Sequence, residues 1–443
     1  MRTRVAVVVI LLHALGLTVV ADAQTPQPAP TSGASYVDPA GGVTLNDAIA
    51  LALEHEPGLR ASRAQIDITR GLREQAALRP NPSLSFVQQQ EPGGTDNQTR
   101  VELQWPLDLF RRTGRVEVAD REIDVAQQTV SERERTLASD VRLAYGQIAA
   151  AVRTLTVTEQ LLAAIHRQLT LIVARVEQGA TPPLDRDMVR VEVQRLEAER
   201  SLQGGTVERR LMDLKRLLGM PADGSLQLRN ALEDLVQQEL ALRARPLPEA
   251  DELTRRPDVL EAEARVRVSE AAIARAQREG RADMSVYGMY MRADSGFPQQ
   301  GFSPTGVLEP IRSVFHYVSV GAMVTLPVLN RNQGAVAAAE AERMGAAARV
   351  DASRLSAQSE IAAARSRDEH ARRALDAYSA DAMALARQNL VAVRQTYDLG
   401  RGTLLDVLNE QRRYLDVERA YTDVLREAYE AHEMLKVALG DVR

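Results

Sequence analysis

The side chains best placed to do chemistry in this 443-residue chain lie in two similar glycine turns. One reads Tyr397-Asp-Leu-Gly400-Arg401-Gly402-Thr-Leu-Leu-Asp406, and an earlier one reads Arg175-Val-Glu-Gln-Gly179-Ala-Thr-Pro-Pro-Leu-Asp185. In each, an acid follows the first glycine by six residues. A carboxylate just inside a helix start is favoured by the helix dipole, so Asp185 and Asp406 have an ordinary structural reading. If several copies converge, the same carboxylates form a ring that constricts a pore and selects cations. Spacing leaves both readings open.

Little else suggests catalysis. The histidines His13, His55, His166, His316, His370 and His432 are scattered, none with a partner at metal-site spacing, and exposed or barrel-lining positions are expected for them. No glycine-rich phosphate loop or nucleophile elbow is visible. Zero cysteines exclude disulfides, thiolate metal sites and a lipid-modified cysteine. The many carboxylates sit mostly on helix faces beside arginines, where solvated charge is the expectation. No enzyme activity, cofactor or metal motif is therefore expected. A formal charge of -5 with both signs interspersed gives no basic footprint for nucleic acid.

The elements that position the turns begin after the three parts expected of an export signal: Arg2 and Arg4, an apolar run from Val5 to Val20, and Ala21-Asp22-Ala23. Residues 1–23 are read as a cleaved secretory signal, the run being short for a retained anchor, which needs roughly 20 apolar residues. Residues 24–43, rich in Pro, Ala, Gly and Ser, read as a flexible lead-in without a packed core.

Order is expected from Thr44, where Thr44-Leu-Asn-Asp47 resembles a helix start. A second helical stretch from Leu59 to Leu78 stops at Arg79-Pro-Asn-Pro82. Two strand candidates follow near 83–106. Leu84 and Phe86 alternate with serines, and Val101, Leu103 and Trp105 alternate with polar residues, around a turn at Glu91 to Asn97. A half-buried soluble hairpin fits this pattern, and so does a transmembrane β-barrel with its apolar face outward. Trp105, the only tryptophan, lies where a membrane-interface aromatic belongs.

From Arg115 to Gln178 no proline occurs, and Leu137, Val141, Ala144, Ile148, Ala151, Leu155, Thr158 and onward keep a four-three beat. A rod of roughly 64 residues is about 95 Å long and needs helical neighbours to bury its stripe. The chain turns at 179–185 and returns to Gly219, with a local irregularity expected at Gly204-Gly205. Residues 220–250 read as a connector with a short helix around Asn230 to Ala241.

Residues 251–443 then repeat 44–219. Pro257 lies 200 residues after Pro57, whereas Pro327, Gly400, Asp406 and Gly440 each lie 221 after Pro106, Gly179, Asp185 and Gly219. The extra residues are assigned to a long loop at 293–313 inside a second strand pair near 284–327. A second rod from Gly334 to Leu399 and a return helix follow. The return helix's seam is read as Tyr414, Val417, Tyr421, Val424, Ala428, Ala431, Leu435 and Ala438.

Taken together, Arg79-Pro-Asn-Pro-Ser-Leu84, Arg256-Pro-Asp-Val259, Leu326-Pro-Val-Leu-Asn-Arg-Asn-Gln-Gly334 and Gly400-Arg-Gly-Thr-Leu-Leu-Asp-Val-Leu408 resemble the TolC-like outer-membrane efflux proteins. The resemblance covers the chain from Thr44 onward. It implies a mainly α fold with a small β part, in which long helical hairpins form a periplasmic α-barrel. Each protomer of a homotrimer gives four strands to one 12-stranded transmembrane barrel set in outer-membrane lipid. It also implies a passive exit duct served by a periplasmic adaptor and an inner-membrane transporter of the resistance-nodulation-division type, in the envelope of a Gram-negative bacterium.

The family's gate carries over residue by residue. Tyr397 and Asp406 match its tip tyrosine and constriction aspartate, and Asp185 matches an acid that helps latch the paired hairpin. Asn409 stands where the best-known members carry a second acid. Gly402 holds the latch-arginine position, with Arg401 beside it as a substitute. The layout and Asn330-Arg-Asn-Gln-Gly334 look like the branch similar to cobalt-zinc-cadmium exporters. Drug export and protein secretion are the same-fold alternatives. A periplasmic coiled-coil structural protein is the alternative of another class, against which the amphipathic strands argue.

Overall fold

A computed structural model describes residues 32–92, 96–242, 256–378 and 380–440. The expected secretory signal, the first part of the lead-in and the end of the connector lie outside the described residues.

Residues 32–43 are not the coreless lead-in expected of their composition. Gly33–Tyr36 forms a 3-10 turn, Tyr36 is buried, and Val37 and Val43 both bridge to Leu228. Backbone bonds run from Asp38 N to Leu228 O (2.8 Å) and from Val43 N to Gln227 O (2.9 Å). Tyr36, Val37 and Val43 give this Pro- and Gly-rich stretch enough apolar surface to hold it against the helices.

Two short helices follow, α1 (Leu45–His55) and α2 (Pro57–Ala77). Thr44 caps α1 in a reciprocal box with Asp47. Glu56 accepts from Leu59 N at 2.5 Å to cap α2, whose first residue, Pro57, has no amide to leave unpaired.

The strands β1 (Ser83–Gln90), β2 (Asn97–Pro106), β3 (Asp283–Phe302) and β4 (Leu308–Thr325) make one antiparallel sheet in the order β1-β2-β3-β4. Its register puts Leu84, Leu103 and Val320, then Phe86, Val101, Tyr290 and Val318, on one face. Ser85, Glu102 and Ser319 share the other. From Ser285 to Ala293 the odd-numbered residues are half-buried or buried, while Val286, Tyr290 and Arg292 are exposed. The polar face is therefore the concave side of a curved sheet, and the apolar face is the open, convex one. Trp105, opposite Val286 near the helical end, lies on the convex face and is 46% exposed.

The long loop expected at 293–313 is instead a continuation of the hairpin. Pairing runs on through Ser295 with Ser313 to Phe302 with Leu308, with one register shift between Gly296 and Gln300 and a turn closed by Ser303 N to Val307 O at 2.8 Å. The added residues thus lengthen the β3–β4 ladder, whose inward-facing backbone groups pair while the outward-facing ones stay at open edges.

Below the sheet, α3 (Arg111–Glu177) is one continuous helix of 67 residues, about 100 Å long. α4 (Pro183–Leu217) returns through Gly204 and Gly205 without the expected irregularity, at a propensity cost of about 1 kcal/mol per glycine. Next come α5 (Leu232–Leu242) and α6 (Pro257–Glu279). The second rod is broken: α7 (Gln333–Ala377) ends with Tyr378 as its C-cap, and α8 (Ala380–Asp398) continues it. α9 (Leu404–Ala438) closes the fold.

The main core lies where both repeats meet, around Leu59, Leu137, Val141, Tyr145, Leu214 and Tyr429. The Tyr429 ring packs against Gly146, where any Cβ would collide with it. Arg256, 1% exposed, ties the second repeat together by donating to Asp258 (2.8 Å), Glu360 (2.8 Å) and the Ala438 carbonyl (3.0 Å).

The expected seam of α3 is largely buried. In α9 the expected seam holds over its last turns, where Ala428, Ala431, Leu435 and Ala438 are buried, but its first half is displaced by about one helical position: Leu404, Leu408, Gln411, Leu415, Glu418, Thr422 and Leu425 are enclosed, while Tyr414, Val417, Tyr421 and Val424 are half-buried. Glu192, Glu418, Glu430 and Glu433 are buried rather than solvated, and His432 is buried beside Asp368 at 3.3 Å rather than exposed.

Candidate functional site

Both glycine turns are built the same way. Gly179 (φ +71°) and Gly400 (φ +72°) take left-handed backbone that a side chain would strain. Each closes a helix with a paired set of bonds. Gly179 N donates to Val176 O (2.9 Å) and Ala180 N to Arg175 O (2.9 Å); Gly400 N donates to Tyr397 O (2.9 Å) and Arg401 N to Thr396 O (3.0 Å). Gly219 and Gly440 also have positive φ, at the other ends of the returning helices. The four positions are the ones the 221-residue offset relates.

The acids that follow then diverge. Asp406 is the third residue of α9 and completes a box with the cap residue. Its Oδ2 accepts from Thr403 Oγ1 (2.6 Å) and Thr403 N (3.0 Å), while Asp406 N donates to Thr403 Oγ1 (3.2 Å). The Thr403 hydroxyl, then its amide, hold the Asp406 carboxyl below its ordinary value, so it is ionised, and it is exposed. Asp185 occupies the same position of α4, but its cap residue is Pro182, which has neither hydroxyl nor amide to offer.

Asp185 instead acts on the second hairpin through its charge. Burial and then the Asp185 charge push the Tyr397 phenol above its ordinary value, against the pull of Arg175, which is hydrogen-bonded to it. Tyr397 also packs on a cluster that includes Ile172, Val189, Leu404 and Leu408. The structure thus brings Tyr397, Asp185 and Arg175 together across the two hairpins. It leaves Asp406 and Asn409 exposed on α9, and Arg401 exposed in the turn without an ion pair among the described residues.

Further from the turns, a polar seam joins the hairpins. Glu192 on α4, 2% exposed, accepts from Arg195 (2.6 Å) and from Arg412 of α9 (3.0 Å). Burial works to raise its carboxyl, but the hydrogen bonds from Arg195 and Arg412 outweigh it and hold the group below its ordinary value. Gln411 donates to Gln168 at 3.0 Å, Arg419 pairs with Glu199, and Arg153 joins Glu418 (3.0 Å) and Glu233 beneath the Tyr421 ring. Sequence reasoning missed this seam, because apolar periodicity passes over buried polar residues. It also missed the Thr403 cap, although Thr403-x-x-Asp406 is a readable capping pattern. Among the described residues no group of His, Asp and Glu side chains forms a metal cluster.

A sheet with an apolar convex face, above two helical hairpins related by duplication, is a layout that can be compared with known proteins. The family model described as outer membrane efflux protein matches residues 48–220 and 250–441. The chain belongs to this family. It is 23% identical to the cobalt-zinc-cadmium resistance protein CzcC of Cupriavidus metallidurans over 404 residues, covering 90% of this chain and 91% of the relative. The fold matches crystal structures of CusC (TM-score 0.72, 18% identity, 94% and 95% of the two chains). It also matches VceC from Vibrio cholerae (0.69, 19%, 89% and 96%) and the open state of MtrE from Neisseria gonorrhoeae (0.69, 18%, 89% and 88%).

Membership places the chain in the outer membrane of a Gram-negative bacterium, with its helices as a periplasmic α-barrel. The family works as trimeric efflux channels with a periplasmic adaptor and an inner-membrane pump, as ducts rather than enzymes.

Proposed function

We propose that three copies of this chain form the exit duct of an efflux system of the resistance-nodulation-division type, gated at the 179–185 and 400–406 turns and carrying heavy-metal cations. The observation that carries the gate is the divergence of the two equivalent acids. The Asp185 charge acts on Tyr397 of the other hairpin, whereas Asp406 is fixed by Thr403, ionised and exposed. In a trimer the Asp406 carboxylates form a ring whose field favours cations. With Asn409 one turn further along α9, the ring is a single layer. The metal reading is supported by the likeness to CzcC, a cobalt-zinc-cadmium resistance protein, over 90% of this chain.

Single-channel recording in planar bilayers tests the gate. Asp406→Asn is expected to lower cation preference, and Asn409→Asp to raise it by adding a second acidic layer; unchanged selectivity and conductance in both would leave Asp406 a helix cap only. Deletion of the protein, followed by susceptibility testing with cobalt, zinc, cadmium, copper, silver, drugs and detergents, tests the substrate. Sensitivity to drugs and detergents without sensitivity to metals would replace the metal reading with drug export.

A further inference from the structure

Zero cysteines leave methionine as the chain's only soft sulfur donor, and four of its eleven methionines fall between Met284 and Met323. The register sorts them. Met284 pairs with Val324 in the same alternation as Val286 and Tyr290, on the apolar convex face. Met289, Met291 and Met323 belong to the opposite, polar face, with Ser285, Glu102 and Ser319. In a closed barrel the concave polar face lines the lumen.

Met289 and Met291 are neighbours there. Residues two apart on a strand share a face with their Cβ atoms about 7 Å apart. Metal–sulfur bonds of roughly 2.3 Å place two sulfurs on one ion at most about 4.6 Å apart. Flexible thioether side chains close that difference by leaning toward each other. Directly opposite Met289 on β2 is Glu102, a carboxylate within cross-strand reach, and opposite it on β4 is Ser319. One row nearer the helices the Tyr287 ring covers Gly321, where a Cβ would come within 2.6 Å of its hydroxyl, so an aromatic ring floors the wall below the methionines.

Methionine is often a filler of irregular apolar gaps. That role belongs on an apolar surface, whereas Met289 stands between Glu102 and Ser319 and Met291 between Arg100 and Tyr317, with Val87 beyond Arg100. Thioether sulfur selects soft ions such as copper(I), whereas carboxylate and imidazole suit harder ones. The geometry points to a transit site for a soft monovalent metal ion, copper(I) or its redox-inert analogue silver(I), held by the Met289 and Met291 sulfurs with Glu102 beside them, once in each protomer. This deepens the metal-duct reading, on which its physiological sense rests.

The test uses the purified full-length trimer in chloride-free buffer, with silver nitrate as the probe and metal retained after desalting measured by mass spectrometry. Met289→Leu/Met291→Leu conserves volume and is expected to lose one retained silver ion per protomer, while Met284→Leu on the convex face loses none. Zinc retention is expected to be equal in all three. Equal silver retention by the double variant, equal loss in Met284→Leu, or loss of zinc together with silver would overturn the site. The duct reading is separated by the deletion strain. Silver bound through Met289 and Met291 without metal sensitivity on deletion leaves the site standing and removes metal export; metal sensitivity with unaltered silver retention does the reverse.

Discussion

At the residue scale, the duplicated turns show how one backbone solution can carry two chemistries. Gly179 and Gly400 are conformationally interchangeable, yet Pro182 and Thr403 send the following acids in different directions. Capping and gating are separable at Asp406. Thr403→Ala removes the cap oxygen but leaves the carboxylate, so it is expected to cost about 1 kcal/mol of helix stability while retaining cation preference. Asp406→Asn is expected to lose the preference as well. Thermal melts followed by circular dichroism, beside single-channel recordings of both variants, separate the two effects; a selectivity change in Thr403→Ala equal to that of Asp406→Asn would show that the cap and not the charge sets conduction. The glycines and acids were legible in the sequence because each has a fixed local requirement. The hydrogen bond of Tyr397 to Arg175 and the reach of the Asp185 charge join residues more than 200 positions apart, and spacing alone has no means of pairing them.

At the scale of elements, apolar periodicity revealed α3 and its seam, because a rod of that length must repeat its buried stripe. It found Ala428, Ala431, Leu435 and Ala438 on the buried side of α9 but misplaced the first half of that seam, because the helix also buries Gln411, Glu418, Thr422 and His432. These residues tolerate burial because partners from other elements meet them, Gln168 for Gln411, Arg153 for Glu418 and Thr422, and Asp368 for His432. The break between α7 and α8 was also invisible, since its neighbourhood contains no proline or glycine. The polar seam has a pH consequence. Because Glu192 is held below its ordinary 4.5, its stabilising contribution is fully present above that value and is lost as pH falls through the lower folded value. At neutral pH, Glu192→Gln is expected to destabilise the helical hairpins by about 1.5–3 kcal/mol, the worth of hydrogen bonds to a charged group. The gap to the unaltered protein should narrow at an acid pH well below 4.5, as that protein's own carboxylate protonates. Denaturant melts of the trimer at both pH values measure it, and a gap that stays constant would remove Glu192 from the seam's energetics.

At the scale of the whole molecule, the four strands leave β1 and β4 as open edges, and the family's trimeric barrel closes them by pairing β4 of one protomer with β1 of the next. That closure accounts for only part of β4. β2 stops pairing with β3 at Asn97 opposite Asp294, and β1 is only eight residues long, so β3 and β4 beyond this level support each other alone. The free arm rises for about 27 Å beyond the point where β2 ends, counted over Ser295 to Phe302. Beyond Asp294 the arm's ladder runs between β3 and β4, its base is held by Gly296 N donating to Asp96 Oδ1 (3.3 Å), and its turn is closed locally by Ser303 and Val307, so the barrel's own ladder does not include the arm. Replacing residues 296–312 by Asn-Gly, which joins the paired Ser295 and Ser313 through a two-residue hairpin turn, is therefore expected to leave trimer assembly, heat resistance on gels and open-channel conductance unchanged. Failure of the shortened chain to form trimers would mean that the arms contact one another above the sheet. The barrel would then owe part of its closure to the inserted residues of the second repeat rather than to the duplicated strands alone.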